Sequence, residues 1–427
     1  MNPSVGSKSI STPSPARRLA DTGELLCNAQ GMAWDVIPGT DLDALWYGCR
    51  AALSLSKTHG ASVRLFGDPQ VLARLLPALD EHRDDQWWQG INFLDTGKLQ
   101  AVAPAAMTLA IFEASVPALY QQRSRHHGLG SKILRLARLA DSPDAKEHVG
   151  IDPQGRLFQG ALPCSAGFIK PSPHTFDLRC VLRESAAGRA ATIRRAGLSR
   201  DARPGERTII VAAPASSGWR EWISVWRNSE VPLRVLVLGG LGSSPALPRE
   251  MRRTRDVEER NLSIAVIDNC SWSLSDELLW LSDLVLTNEE DLAIRAMACG
   301  VPVLYGEPES RLDPACAASS KVLGWQLRSS SATAALRGSM ATLCIAWQSG
   351  RHIAEAWQRF SAVWDDAVQC AETTARWLRT VPDLLDLAVK TACERQQKAA
   401  NERALPFPAT VPMHLDELPS RATRRRR

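Results

Sequence analysis

The chain has 427 residues, of which 44% are hydrophobic and 23% charged, and a formal net charge of +5. That length suits two or three domains with proper cores. No apolar run reaches the roughly 18–20 residues that span a bilayer, and so mild a charge without a recognisable module argues against sequence-specific nucleic-acid binding.

Residues 1–24 open with MNPSVGSKSISTPSPARR, rich in Ser, Pro and Gly, and are expected to be disordered. They lack the apolar core of a secretory signal, so the expected location is cytoplasmic, with no membrane partner. WDVIPGTDLDALW (34–46) then reads as a first strand-to-helix turn carrying Asp35, Asp41 and Asp43 near Gly39. Asp41 has two readings: a general base at the mouth of a cleft, or the cap of the following helix. Strand candidates follow at SVRLFGD (62–68), GINFLD (90–95) and LAIFEAS (109–115), with helix-like text between them, notably QVLARLLPAL. The adjacent His126 and His127 sit in polar text and read as loop residues rather than as half of a metal site.

RAGLSRDARPGER (195–207) breaks the alternation, and its Pro-Gly pair marks a linker. A second series begins at Thr208 with TIIVAAP and continues through LRVLVLGG, LSIAVID, DLVLTN and VPVLYG. Short Val/Ile/Leu runs spaced for crossover helices are the signature of a parallel sheet covered on both faces. VLGGLGSSP (237–245) follows a strand but has neither the G-x-G-x-x-G pattern nor the lysine of a phosphate loop, and reads as a mobile connection. Beyond residue 330 the text turns helical, and Ile353, Trp357, Phe360, Trp364 and Val368 recur at helical steps as a core-packing stripe. The ten cysteines are scattered without a Cys-x-x-Cys or a tight Cys/His grouping, which argues against a disulfide framework and a zinc site. The closing SRATRRRR reads as a solvated tail.

LVLTNEEDLAIRAMACGVPVLYG (284–306) places Glu289, Glu290 and Asp291 where a strand hands over to a helix. The mouth at the carboxyl ends of parallel strands is where ligands bind in such sheets. A helix N-terminus there favours phosphate oxygens, while a neighbouring carboxylate suits sugar hydroxyls. Plain capping of the helix dipole explains the same residues without a ligand.

The stretch LLWLSDLVLTNEEDLAIRAMACGVPVLY (278–305) resembles the protein-arginine rhamnosyltransferases that modify bacterial translation elongation factor P. Leu278, Leu279, Trp280, Asp283, Leu284, Glu290, Asp291, Arg295, Ala296, Gly300 and Pro302 match that family's pattern without a gap. HGASVRLFGDPQVLARLLP (59–77), FEASVPALY (112–120) and FIKPSPHTFDLRCVLRE (168–184) are similar to further family segments, in family order.

The resemblance implies an α/β fold of the glycosyltransferase-B (GT-B) type, two Rossmann-like parallel-sheet domains facing a cleft, with C-terminal helices. It divides the chain into an acceptor-side domain (25–200), a nucleotide-sugar domain (201–385) and a terminal helix and tail (386–427). It implies a dTDP-rhamnose donor, no cofactor or metal, and an arginine of elongation factor P as acceptor. Asp41 becomes the catalytic base, and Phe168, Glu290 and Asp291 become donor-site residues.

Several family positions are changed. Asn288 stands where the family has arginine, Leu292 where it has serine, Asn269 where it has phenylalanine and Trp272 where it has glutamine. The first loop keeps at most one of its two aspartates, and LRLARL (134–139) replaces Ile-Asn-Leu-Glu-Tyr-Leu. A catalytically degenerate relative acting as a binding protein, and a transferase for another nucleotide sugar, therefore stand as alternatives.

Overall fold

The computed structural model describes residues 31–126, 133–139, 155–159, 185–212, 218–238, 257–258, 261–267, 270–306, 318–328 and 332–404, apart from positions 84, 113 and 382. Phe168, Asn269, residues 1–24, the arginine-rich tail and the glycine-rich stretch after Leu238 lie outside them.

The first lobe alternates strands and helices from β1 (Ala33–Pro38) and α1 (Leu42–His59) through β2 (Ser62–Gly67) and α2 (Pro69–Leu75). It continues with β3 (Asp85–Trp88), β4 (Ile91–Asp95), β5 (Met107–Ile111), α3 (Ala118–His126), β6 (Ile133–Leu136) and β7 (Arg156–Leu157). These strands form one sheet in the order β3-β4-β2-β1-β5-β6-β7, parallel except that β3 runs against β4. Local chemistry sets the helix ends: Asp41 accepts a hydrogen bond from Ala44 N at 2.9 Å to start α1, and Gly60 closes it at φ 63°, where a side chain is disfavoured.

After α4 (Ala186–Arg195), the connection to the second lobe is pinned by Glu206, which takes both forks of the Arg200 guanidinium at 2.7 and 2.9 Å. The second lobe comprises β8 (Arg207–Ala212), α5 (Trp219–Arg227), β9 (Leu233–Leu238), β10 (Val257–Glu258) and β11 (Leu262–Ile267). Then come α6 (Trp272–Leu281), β12 (Leu284–Thr287), α7 (Glu290–Ala298), β13 (Val303–Tyr305) and α8 (Ala318–Gln326). Its sheet order is β10-β11-β9-β8-β12-β13, again parallel apart from an antiparallel edge, β10.

Both sheets reverse direction of growth beside their first strand, between β1 and β5 and between β8 and β12. Such reversal points open a crevice outside the carboxyl ends of the strands. The turn from β1 into α1 and the turn from β12 into α7 stand at these two places.

The chain ends in α9 (Ala334–Ser349), α10 (Ile353–Ser361), α11 (Trp364–Thr380) and α12 (Leu384–Ala404). The stripe expected from Ile353 to Val368 is divided between α10 and α11. Ala362 keeps helical angles and Val363 departs from them at φ -118° and ψ 22°, which ends one helix and starts the next. Ile353, Trp357, Phe360 and Trp364 are buried, and Trp357 and Trp364 meet edge to face at 6.1 Å. Trp219, Trp222, Trp226 and Trp347 complete this aromatic core, which covers one face of the second sheet. α12 returns to the first lobe, packing against α1 and placing Asp386 3.4 Å from His59. A single apolar cluster runs from Val36 and Leu65 through Ile210 and Val285 to Leu385 and Val389, joining the lobes. Among the described residues, no helix is long and apolar enough to cross a membrane.

Candidate active site between the lobes

The strand-to-helix turns of the two lobes meet. Glu289 is the N-cap residue of α7 but makes no side-chain capping bond. Asp43, from the first turn of α1, supplies the cap instead: its carboxylate accepts from Glu290 N at 3.0 Å and Asp291 N at 3.4 Å, across 247 residues of sequence. An acidic side chain at a helix N-terminus satisfies free N–H groups and the local positive potential. Here it also ties one lobe to the other.

Glu290 points away from its own helix into the first lobe, and only 2% of it is exposed. Leu139 N donates to both of its oxygens at 3.1 and 3.2 Å, and Gln159 Nε2 donates at 2.8 Å. Tyr47 Oη donates to Gln159 Oε1 at 3.1 Å and reaches Glu290 Oε1 at 3.5 Å. Burial, with the Glu290 charge beside it, pushes the Tyr47 phenol well above its ordinary range, so it stays a donor. Lys321 of α8 adds a bond from its ammonium to Leu139 O at 2.8 Å.

Asp291 lies between two buried guanidinium groups, Arg50 of α1 and Arg295 of α7. Arg295 Nε donates to Asp291 at 2.7 Å and Nη1 donates to Ser275 Oγ at 2.7 Å and Asp276 at 2.5 Å, while the guanidinium lies 5.1 Å from the Trp46 ring centre. Burial lowers Arg50 to about 10, which leaves it charged at neutral pH.

Asp41 stands two residues from Asp43, at the rim. Its side chain is 42% exposed, caps α1 and pairs with the buried guanidinium of Arg138, which stacks 4.3 Å from the Phe112 ring centre. Phe112 follows β5 at φ 57°, a conformation that costs free energy for a residue with a side chain and that clusters at functional sites. Asp35, the third aspartate of the turn, belongs to the core. It is fully buried, paired with Arg64 through two bonds of 2.6 and 2.8 Å, and accepts from Ala105 N at 2.9 Å.

The structure thus brings Asp41, Glu290 and Asp291 to one interlobe seam, and adds Asp43, Tyr47, Arg50, Arg138 and Gln159 to it. Arg50 had a signal in the sequence, a lone cation inside the apolar run of α1. Gln159 had none, because its role depends on a partner 131 residues away.

Asp43, Glu289 and Glu290 crowd three carboxyl groups at this seam. Burial chiefly, then the charges of Glu289 and Glu290, hold Asp43 well above the usual carboxylate range, against the opposing pull of Glu290 N and Arg138. Burial likewise raises Glu289 from 4.5 to about 7, with Arg295 pulling it down. A carboxyl raised in the folded state binds its proton more tightly there than in the unfolded chain. Its contribution therefore favours folding at low pH and is lost as pH rises from 4.5 through about 7. Glu289→Gln removes this dependence, so the melting temperature of the native chain is expected to fall relative to that variant between pH 4.5 and 7. Parallel melting curves would refute the assignment.

Two mainly parallel-sheet lobes whose switch points face each other form the GT-B glycosyltransferase arrangement. A solved structure concerned with EarP-mediated arginine glycosylation of translation elongation factor EF-P shares this fold, with a TM-score of 0.52 at 16% identity over 88% of this chain and 100% of that one. The chain belongs to the family described as elongation-factor P (EF-P) rhamnosyltransferase EarP, which matches residues 45–392. A protein-arginine rhamnosyltransferase of Pseudomonas aeruginosa is 26% identical over 351 residues, 76% of this chain and 89% of its own length. One from Pseudomonas putida is 26% identical over 290 residues, 64% of this chain and 75% of its own length. Asp41 and Asp43 lie just ahead of the family match.

Proposed function

We propose that this chain transfers rhamnose from dTDP-rhamnose to an arginine of translation elongation factor P in the cytoplasm, with inversion at the sugar carbon. The acceptor nitrogen attacks the anomeric carbon, the bond from that carbon to the diphosphate oxygen breaks, dTDP departs, and the guanidinium proton passes to Asp41. An arginine is protonated near neutral pH and becomes a nucleophile only as a carboxylate takes its proton. The departing diphosphate is assigned to the N-terminus of α7, whose amides and dipole favour phosphate without a metal. Phe168, Glu290 and Asp291 are assigned to the donor side.

The observation that carries this reading, beside family membership, is the occupant of Asp41. A carboxylate at the rim of the seam, already holding a guanidinium stacked on Phe112, has the chemistry an acceptor arginine needs. The test is incubation of the purified chain with dTDP-rhamnose and elongation factor P, followed by intact-mass spectrometry. A mass gain of one deoxyhexose on a single arginine is expected.

Asn288, in place of the family's arginine, favours a second reading, a relative that keeps the fold and binds a protein without catalysis. That reading requires no mass gain and no binding of dTDP. A donor screen separates both from transfer of another nucleotide sugar.

A further inference from the structure

We propose that Asp43 is an internal competitor of the donor: its carboxylate occupies the α7 amides that the donor's diphosphate must take, and so latches the lobes in a self-inhibited state. This rests on the donor reading given above.

α7 is the helix at the switch point of the second sheet, and its first turn has no cap from its own lobe. The N–H groups of Glu290 and Asp291 both end on Asp43, which comes from the opposite lobe. Two carboxylate oxygens on consecutive amides reproduce the contacts that a phosphate makes at a helix N-terminus. The same seam is closed by Glu290 on Leu139 N and Gln159, by Arg50 on Asp291 and by Lys321 on Leu139 O. A donor diphosphate and Asp43 cannot share those two amides, because each N–H directs one strong bond and both are already taken. Binding of donor therefore requires Asp43 to leave, and the free energy of its two bonds is subtracted from donor affinity.

The latch has a local cost that makes it releasable. Asp43 faces Glu289 and Glu290 from α7, with Arg138 as the cation facing it from the end of β6. Removing Asp43 takes away one of three crowded carboxyl groups as well as a competitor.

The experiment is calorimetric titration of dTDP into the native chain and into Asp43→Ala and Asp43→Ser, with circular dichroism to establish that each variant is folded. Both substitutions suit the first turn of a helix. The expected result is dTDP binding at least tenfold tighter in the variants. Equal or weaker binding in folded variants overturns the latch and leaves the donor reading intact. Absence of dTDP binding to any of the three proteins removes the donor reading and the latch together.

Discussion

Arg295→Met is expected to lower the unfolding free energy by about 3–5 kcal/mol, the range for removing one partner of a buried ion pair. Arg295 is 1% exposed and serves Asp291, Ser275 and Asp276 at once, so its loss strands Asp291 and Ser275 where water cannot reach them. Asp291 would keep Arg50, but the second guanidinium that balances it would be gone. Methionine retains most of the stem volume, which confines the effect to charge and hydrogen bonding. Arg295→Lys keeps the charge and loses the fork, and is expected to fall between the two, because an ammonium cannot point donors at Asp291 and at the Ser275–Asp276 pair in one plane. Urea denaturation with an unchanged m-value would read this out. A loss below about 1 kcal/mol for Arg295→Met would mean that the network behaves like an exposed pair.

The same residues show what sequence reasoning reaches and where it stops. Continuous Val/Ile/Leu runs at β8, β9 and β12 announce strands buried on both faces, since only such strands need apolar side chains at every position. The edge strands carry no such mark. β3 is Asp-Gln-Trp-Trp with Trp87 67% exposed, and its pairing is fixed by its neighbour β4 rather than by its own pattern. β6 hides for a different reason: its four residues are apolar except for Arg135, a pattern too short to distinguish strand from helix.

At the seam, residue type and position along the chain revealed that Glu290 and Asp291 sit at a strand-to-helix mouth. The direction of their side chains was not legible. Both turn to the first lobe, because Arg50, Gln159 and Leu139 N offer partners there, and those partners come from three separate segments. Asp41 is the extended N-cap residue of α1 and Asp43 lies in its first turn, so Asp41 pairs with Arg138 while Asp43 reaches the amides of α7. Nothing in the run TDLDA ranks them, and only the packing of the second lobe against α1 does.

That difference makes Asp41→Asn the most informative single change for chemistry. If the Asp41 carboxylate withdraws the acceptor's proton, the amide should reduce turnover by about 10²–10⁴-fold, the usual contribution of a positioned general base. Asparagine caps helices as well as aspartate does, so the bond to Ala44 N and the stability of α1 should survive. The ion pair with Arg138 is lost, yet Arg138 retains the Phe112 face, and with Asp41 42% exposed but Arg138 buried the cost to folding should be about 1–3 kcal/mol, between that of an exposed and a buried pair. Affinity for dTDP should be unchanged, since Asp41 does not touch the α7 amides. A rate defect confined to the chemical step would therefore separate the base from the cap. Turnover within about fivefold of the native rate would show that another group takes the proton, because a general base cannot be replaced by a neutral amide without a loss of that order.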